Sequence, residues 1–140
     1  MKIIGFNYTK ISVEKKKEIS RDLKISNKVD ILNVAEVKQE VLKSKEEMLA
    51  VKFLYSLDYS PGIASVNLEG TILLAVDQNI AKEALKTWKD NKETPDSFKI
   101  FIFNVIFRKA GLKALELEDQ MNLPLHMQMP AIKKSEDKSK

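Results

Sequence analysis

Two stretches of strict alternation between apolar and polar residues constrain the fold more than any other feature of this sequence. Residues 49–59 carry an apolar side chain at every second position: Leu49, Val51, Phe53, Tyr55, Leu57 and Tyr59. Residues 64–76 repeat this pattern from Ala64 to Val76. Because successive side chains of a strand point to opposite faces, each stretch predicts a strand with one buried face. Ser60-Pro61-Gly62 between them predicts a tight turn and therefore an antiparallel hairpin.

Two further strands are predicted before this hairpin, and each changes phase once. Ile4, Phe6 and Tyr8 alternate with polar or small residues, and Ile11 continues the pattern one position out of phase. Residues 25–37 also switch phase near their middle. A slip of one residue is typical of a β-bulge. One apolar and one polar face indicate an antiparallel sheet that is covered on one side.

After the fourth strand the apolar period becomes that of a helix. A first helix is predicted over residues 79–90, with Asp77 or Asn79 as its N-terminal cap. A second helix is predicted over residues 95–120, with Thr94 as its cap and a proline at its first position. We therefore expect an α+β fold, in which a four-stranded antiparallel sheet is covered on one face by two C-terminal helices.

The second helix carries two apolar stripes. One stripe consists of Ile100, Phe103, Phe107, Ala110, Ala114 and Leu117. The other consists of Phe98, Ile102, Val105, Leu112 and Leu115. A helix that lies on one sheet needs only one stripe. The second stripe is therefore expected to contact the first helix, residues 123–130, a partner subunit or a ligand.

Residues 122–130, NLPLHMQMP, predict an extended apolar segment after the second helix. The two prolines restrict the backbone of the segment to extended conformations. His126, the only histidine of the chain, lies among apolar residues and is expected to be packed rather than catalytic. The two methionines of the segment suit either core packing or an adaptable binding surface, because their side chains are flexible and polarizable.

The sequence contains no motif for catalysis or metal binding. It has no cysteine, no nucleophile elbow and no glycine-rich phosphate loop. Glu116, Glu118 and Asp119 at the end of the second helix are expected to be solvated. We therefore predict a protein that is not an enzyme and needs neither cofactor nor metal. No apolar run approaches the ~20 residues of a membrane span, and the lack of cysteine favours a reducing cytoplasm.

The formal net charge of +4 is concentrated in two segments. One segment contains Lys15, Lys16, Lys17 and Arg21, and the other is the Lys-rich sequence 133–140. We expect both segments to be solvated, the second as a disordered tail behind a single domain over residues 1–132. The alternative is that they contact nucleic acid, as in a small basic RNA- or ribosome-associated protein.

The long helix and the segment behind it resemble the SecB family of export chaperones. Family members carry a motif of the form N-I-L-F-P-Y-A-R in a C-terminal helix, followed by F-P-P-L-N-L-A-P. Here Asn104-Val105-Ile106-Phe107 matches N-I-L-F, and residues 123–130 match the second motif without a gap, with Pro124 and Pro130 on family prolines. The matching block covers about 27 residues, from Asn104 to Pro130.

The resemblance implies a homotetrameric, ATP-independent holdase chaperone, a dimer of dimers that binds unfolded or nascent polypeptides in apolar grooves. We expect the groove to be lined by these residues: Trp88, Phe101, Val105, Leu123, Leu125, Met127 and Met129. We expect the subunit interface to include Val105, Leu112 and Leu115. Protein export and toxin–antitoxin control are the two settings that the resemblance suggests.

The sequence also departs from the export chaperone. Bacterial members are acidic and dock on the translocation motor through an acidic sheet surface, whereas this chain is basic and its strands lack an acidic cluster. The family's proline and arginine after N-I-L-F are not kept in place, because Arg108 and Lys109 follow Phe107 directly. The helix over residues 79–90 is additional. These differences indicate a divergent SecB-like protein, of the kind expected in archaea or beside toxin–antitoxin pairs.

Overall fold

A computed structural model describes residues 1–38 and 46–130. It contains four strands followed by two helices, in this order: β1 (Lys2–Lys15), β2 (Lys24–Val37), β3 (Glu46–Ser60), β4 (Ala64–Asp77), α1 (Gln78–Asn91) and α2 (Asp96–Gln120). The predicted tail, residues 133–140, lies outside the described residues. The predicted α+β fold, with one antiparallel sheet and two C-terminal helices, is confirmed.

The four strands form one antiparallel sheet in the order β1-β4-β3-β2. β2, β3 and β4 follow one another as neighbours, and β1 pairs with β4 at the far edge, which is a Greek-key order. The Ser60-Pro61-Gly62 turn joins β3 to β4 as predicted, and the Ile63 backbone N–H donates to the Tyr59 carbonyl at 2.8 Å. Gly62 has a φ of 62°, which explains why glycine stands at this position.

Both predicted bulges are present. The register of β1 shifts between Tyr8 and Lys10, and that of β2 shifts between Ile31 and Asn33. A further shift in β1, between Ile3 and Gly5, was not predicted. It turns Ile4 outward, where 48% of the residue is exposed, so the prediction that Ile4 shares the buried face of Phe6 and Tyr8 is wrong.

The buried face of the sheet is formed mainly by β3 and β4. The alternating apolar residues of both central strands are almost fully buried, with Leu49, Val51 and Phe53 each 0% exposed. Gly70 on β4 lies beneath the Phe53 ring and beside the β1 backbone. A Cβ at this position would lie 2.8 Å from Phe53 Cζ and would collide with the Asn7 carbonyl oxygen. Close approach of β1, β4 and the aromatic ring therefore requires glycine here.

The N-terminal caps of the helices were predicted with mixed success. Asp77 caps α1, because its carboxylate accepts a hydrogen bond of 3.1 Å from the Asn79 backbone N–H. Thr94 does not cap α2. That helix begins at Asp96, and its N-cap position is occupied by Pro95, which has no side-chain acceptor. The Asp96 carboxylate in the first turn still interacts favourably with the helix dipole.

The buried side of α2 follows a spacing of four residues: Phe98, Ile102, Ile106, Ala110, Ala114 and Glu118. Each step of four residues advances the buried position by about 40° around the axis, since the helix has 3.6 residues per turn. The buried side therefore rotates along the helix and takes in part of each predicted stripe: Phe98, Ile102 and Val105 of one, and Ala110 and Ala114 of the other. Ile100, Phe107 and Leu112, which belong to those stripes, stay exposed.

Candidate functional site

Asn122 follows the end of α2 in the left-handed backbone conformation and reverses the chain. Asn122 has a φ of 53°, and its backbone N–H donates to the Asp119 carbonyl at 3.3 Å. The Leu123 N–H donates to the Glu118 carbonyl at 2.8 Å. These two bonds form a Schellman motif, which satisfies carbonyls of the last turn. Residues 123–130 then continue without regular secondary structure.

The Glu118 carboxylate fixes this segment to the rest of the subunit. It is 0% exposed, and Oε2 accepts hydrogen bonds from the Tyr59 hydroxyl and from the His126 backbone N–H, the latter at 3.0 Å. Oε1 lies 2.8 Å from His126 Nδ1. The Tyr59 hydroxyl also lies 3.2 Å from the Pro124 carbonyl oxygen. One buried carboxylate thus joins the helix end, the sheet and the segment, and we call Tyr59, Glu118 and His126 the Glu118 latch.

The buried Glu118 carboxylate is stabilised by hydrogen bonds with its neighbours. A carboxylate near a helix C-terminus gains nothing from the helix dipole, so its burial depends on local donors. The His126 side chain is 4% exposed, which confirms that the histidine is packed. Burial raises the pKa of Tyr59 well above its ordinary value, and the hydrogen bond to Glu118 raises it further. Tyr59 therefore stays protonated and remains a donor throughout the neutral range.

Sequence analysis missed this role of Glu118, which was expected to be solvated. The signal that could have found it is the four-residue series from Phe98 to Ala114, because its next member is position 118. The histidine ring packs against α2 at Gly111, where an added Cβ would lie 3.7 Å from His126 Nε2, at ordinary van der Waals distance.

Exposed apolar side chains lie on α2 and on the segment that the latch holds. We call this set the apolar strip, and it consists of Ile100, Phe103, Phe107, Leu125, Met127 and Met129. The exposed fractions of Ile100, Phe107, Leu125, Met127 and Met129 are 61%, 39%, 41%, 47% and 55%, and Phe103 is half-buried. Several large apolar side chains exposed on neighbouring elements are typical of a binding surface.

The two halves of the strip meet at Tyr55. The Phe107 ring on α2 lies edge-to-face with Tyr55 at 6.3 Å between centroids, and the His126 ring does so at 6.5 Å. Phe103 continues the helical half, with its centroid 6.4 Å from that of Phe107. The Glu118 latch therefore holds the segment 123–130 beside the exposed aromatic residues of α2.

The residues that were predicted to bind peptide divide into three groups. Leu125, Met127 and Met129 are exposed and belong to the apolar strip. Val105 and Leu123 are 6% and 5% exposed and pack in the core of the subunit, so they are not surface side chains of this chain alone. Burial of Leu123 follows from the Schellman motif, which turns it back onto the helix.

The third group consists of Trp88 and Phe101, which are half-buried and line other grooves of the subunit. Trp88 lines a groove of ≈ 260 Å³ between α1, β2 and α2, which Phe103 also lines. Phe101 lies on the β1 side of α2, in a cavity that also contains Val105.

Of the other predicted interface residues, Leu112 is 62% exposed and Leu115 is half-buried.

The basic residues that were predicted to contact nucleic acid are all exposed. Lys15, Lys16, Lys17 and Arg21 lie at the end of β1 and in the connection to β2. The Lys15 side chain donates to the Met121 carbonyl at 3.3 Å, which places it beside the end of α2. The backbone N–H groups of Lys16 and Lys17 both donate to the Ile63 carbonyl, at 2.7 and 3.2 Å.

Within residues 1–38 and 46–130, no group of three or more histidine, aspartate or glutamate side chains is arranged to bind a metal ion. Neither helix in these ranges is long and apolar enough to cross a membrane.

The fold is similar to that of a SecB-like chaperone. The matching structure is Rv1957 of Mycobacterium tuberculosis, in complex with a ChAD peptide from the Rv1956 HigA1 antitoxin. The TM-score is 0.51, and the match covers 95% of this chain and 91% of the other at 9% sequence identity. No protein-family model and no curated protein matches the sequence. The chain therefore has a SecB-like fold.

Proposed function

We infer that this protein is an ATP-independent holdase chaperone that binds unfolded or apolar polypeptide segments on the apolar strip. The observation that carries the proposal is the strip itself, which leaves the large apolar side chains of Ile100, Phe107, Leu125, Met127 and Met129 more than a third exposed on α2 and on the segment beside it. Such a surface is costly to leave in water. An apolar segment of another polypeptide would cover it.

The chemistry of the strip favours broad recognition. Each apolar side chain that becomes fully buried contributes on the order of 1.5–3 kcal/mol, without a directional requirement. Met127 and Met129 can repack around clients of different sequence, because the thioether side chain is unbranched and flexible. The Glu118 latch keeps the segment in place before a client arrives, which reduces the entropy lost on binding.

The neighbour in fold supports a polypeptide as the ligand. The SecB-like chaperone of Mycobacterium tuberculosis was solved with a peptide from an antitoxin. By analogy, we propose that this chain acts without catalysis, in protein export or in toxin–antitoxin control, and that it assembles as a dimer of dimers with Leu115 of α2 in the interface. The cytoplasmic location inferred from the sequence stays a prediction.

Light scattering of an aggregating model protein tests the proposal. We expect the protein to suppress aggregation without nucleotide, and we expect the triple variant L125S/M127S/M129S to lose most of this activity. A matched control is I4S/I11S/I19S, because these isoleucines lie outside the strip and are 48%, 46% and 45% exposed. Both variants remove three apolar side chains of similar exposure.

The result depends on the difference between the two variants. Equal loss of activity in both would indicate general surface hydrophobicity rather than a site. Full activity in L125S/M127S/M129S, with the fold intact by circular dichroism, would show that clients do not bind on the segment 123–130.

A further inference from the structure

A second groove runs between β1 and α2, on the side of the helix opposite to α1. The strand and the helix lie side by side here, because the Tyr8 hydroxyl donates to the Lys109 carbonyl at 3.2 Å and the Lys15 ammonium donates to the Met121 carbonyl at 3.3 Å. Two neighbouring cavities of ≈ 420 and ≈ 240 Å³ open along this line. We call them together the β1–α2 groove.

The groove combines an apolar floor with a basic rim. Its apolar and aromatic lining consists of Ile3, Phe6, Tyr8, Phe101, Val105 and Leu112. Its charged lining consists of Arg108, Lys109, Lys113 and Glu116, which gives an excess of two positive charges. On the α2 wall of the groove, apolar and charged side chains alternate, because they occupy neighbouring positions of the helix.

The cations of the rim are not all neutralised by the subunit. Lys113 pairs with Glu116 at 3.3 Å. Among residues 1–38 and 46–130, no carboxylate lies within ion-pair distance of Arg108 or Lys109. The Lys109 ammonium instead lies over the Phe6 ring, 5.6 Å from its centroid. Within the described part of the chain, these two exposed cations therefore border an apolar floor without forming an ion pair.

We propose that the β1–α2 groove binds an extended acidic–apolar peptide segment, in which carboxylates alternate with apolar side chains. The apolar side chains would cover Phe6, Tyr8 and Leu112, and the carboxylates would pair with Arg108 and Lys109. The groove follows α2 from Phe101 to Glu116, which is about 22 Å at 1.5 Å per residue. An extended chain of about seven residues spans this length.

The same observations disfavour two other occupants. A second copy of this chain, docked by a two-fold axis, would bring the Arg108 and Lys109 side chains of both copies towards each other. A nucleic-acid base would need a free ring face, but Phe6 already packs against Tyr8 and Phe53 at 5.3 and 5.1 Å and carries the Lys109 ammonium. Charge complementarity and an apolar floor together fit an acidic–apolar peptide.

This inference goes beyond the proposed holdase activity, because it concerns a different surface and a selective ligand. Fluorescence anisotropy with three labelled peptides of about eight residues tests it. The peptides share their apolar residues and carry glutamate, lysine or serine at the alternate positions. We expect the glutamate peptide to bind at least tenfold more tightly than the lysine peptide, with the serine peptide between them.

Charge-reversal variants assign the binding to the groove. We expect R108E/K109E to weaken binding of the glutamate peptide at least tenfold and to strengthen binding of the lysine peptide. The matched control K86E/K89E reverses two exposed lysines of α1 outside the groove and should change neither affinity. All four positions are exposed, so these variants are expected to fold. L112S should weaken all three peptides, because Leu112 belongs to the apolar lining.

Each of four results would overturn the inference. Three of them are equal binding of the three peptides, unchanged glutamate-peptide binding in R108E/K109E, and dissociation of an oligomer by R108E/K109E in sedimentation analysis. Binding of a single-stranded RNA oligonucleotide that competes with the glutamate peptide would also overturn it in favour of nucleic acid. L125S/M127S/M129S should bind the glutamate peptide as the parent does, so failure of the holdase proposal and failure of this inference give different patterns.

Discussion

Replacing Glu118 with alanine should destabilise the protein strongly and release the segment 123–130. The variant removes the acceptor of the His126 backbone N–H and ring nitrogen, and of the Tyr59 hydroxyl. Tyr59 keeps an alternative acceptor, the Pro124 carbonyl at 3.2 Å. The two His126 groups are left without a partner, and Glu118 and the His126 side chain are 0% and 4% exposed.

The expected loss follows from these contacts. A buried polar group left without its partner costs about 1–3 kcal/mol, and E118A leaves two such groups, the backbone N–H and the ring nitrogen of His126. We therefore expect E118A to lower the free energy of unfolding by about 2–6 kcal/mol. E118Q keeps one acceptor oxygen and the shape of the side chain, so we expect it to cost about half as much.

Urea denaturation followed by fluorescence of Trp88, the only tryptophan, measures the loss. Glu116→Ala is the matched control, because Glu116 lies two residues away on the same helix and its side chain is 56% exposed. Removing its pair with Lys113 should cost less than about 1 kcal/mol. A loss in E118A no larger than in E116A would refute the view that the Glu118 carboxylate fixes the segment. So would full resistance of the segment 123–130 to proteolysis in E118A.

Two further predictions concern the sheet and the tyrosines. Gly70→Ala should lower the free energy of unfolding by about 1–3 kcal/mol or more, because its Cβ would clash with Asn7 and Phe53, whereas Gly5→Ala, whose Cβ would lie 3.5 Å from its nearest neighbour, should change stability little. Burial raises the pKa of all three tyrosines, so the folded state retains their protons above about pH 10, where the unfolded chain loses them. Stability should therefore fall as the pH rises above about 10, and Tyr59→Phe should make this fall shallower; a fall equally steep in the variant would contradict the assignment.

The sheet was predictable from the sequence because one of its faces is buried. Strict alternation over β3 and β4 determines which face of each strand is buried, since a slip of one residue would move every apolar side chain to the solvent face. The phase changes in β1 and β2 revealed two bulges for the same reason. The third bulge, between Ile3 and Gly5, escaped prediction because Ile3 and Ile4 are both apolar and either residue could have faced inward.

The long helix was predictable as a helix but not in its packing. Apolar residues surround much of α2, so the sequence does not say which of them face the sheet. The observed four-residue series rotates around the axis, and a search for straight three-four stripes combined buried Ala110 and Ala114 with exposed Ile100 and Phe107. The rotation depends on how the helix crosses the sheet, which is a property of the tertiary structure.

The candidate site was predictable in part. The sequence singled out NLPLHMQMP, and Leu125, Met127 and Met129 are exposed there as a binding surface requires. It did not show that Glu118 is buried, because a glutamate near a helix end is usually solvated. The need for an acceptor arises only when the chain reversal at Asn122 brings His126 back to the helix.

Photo-crosslinking to an unfolded client tests the central claim most directly. A photo-reactive amino acid is introduced at position 127, in the apolar strip, and in a second protein at position 52, where the exposed Lys52 lies on the opposite, uncovered face of the sheet. The account predicts that an unfolded polypeptide crosslinks from position 127 and not from position 52, and that excess apolar peptide suppresses the crosslink. Equal crosslinking from both positions, or crosslinking only from position 52, would contradict binding on the apolar strip.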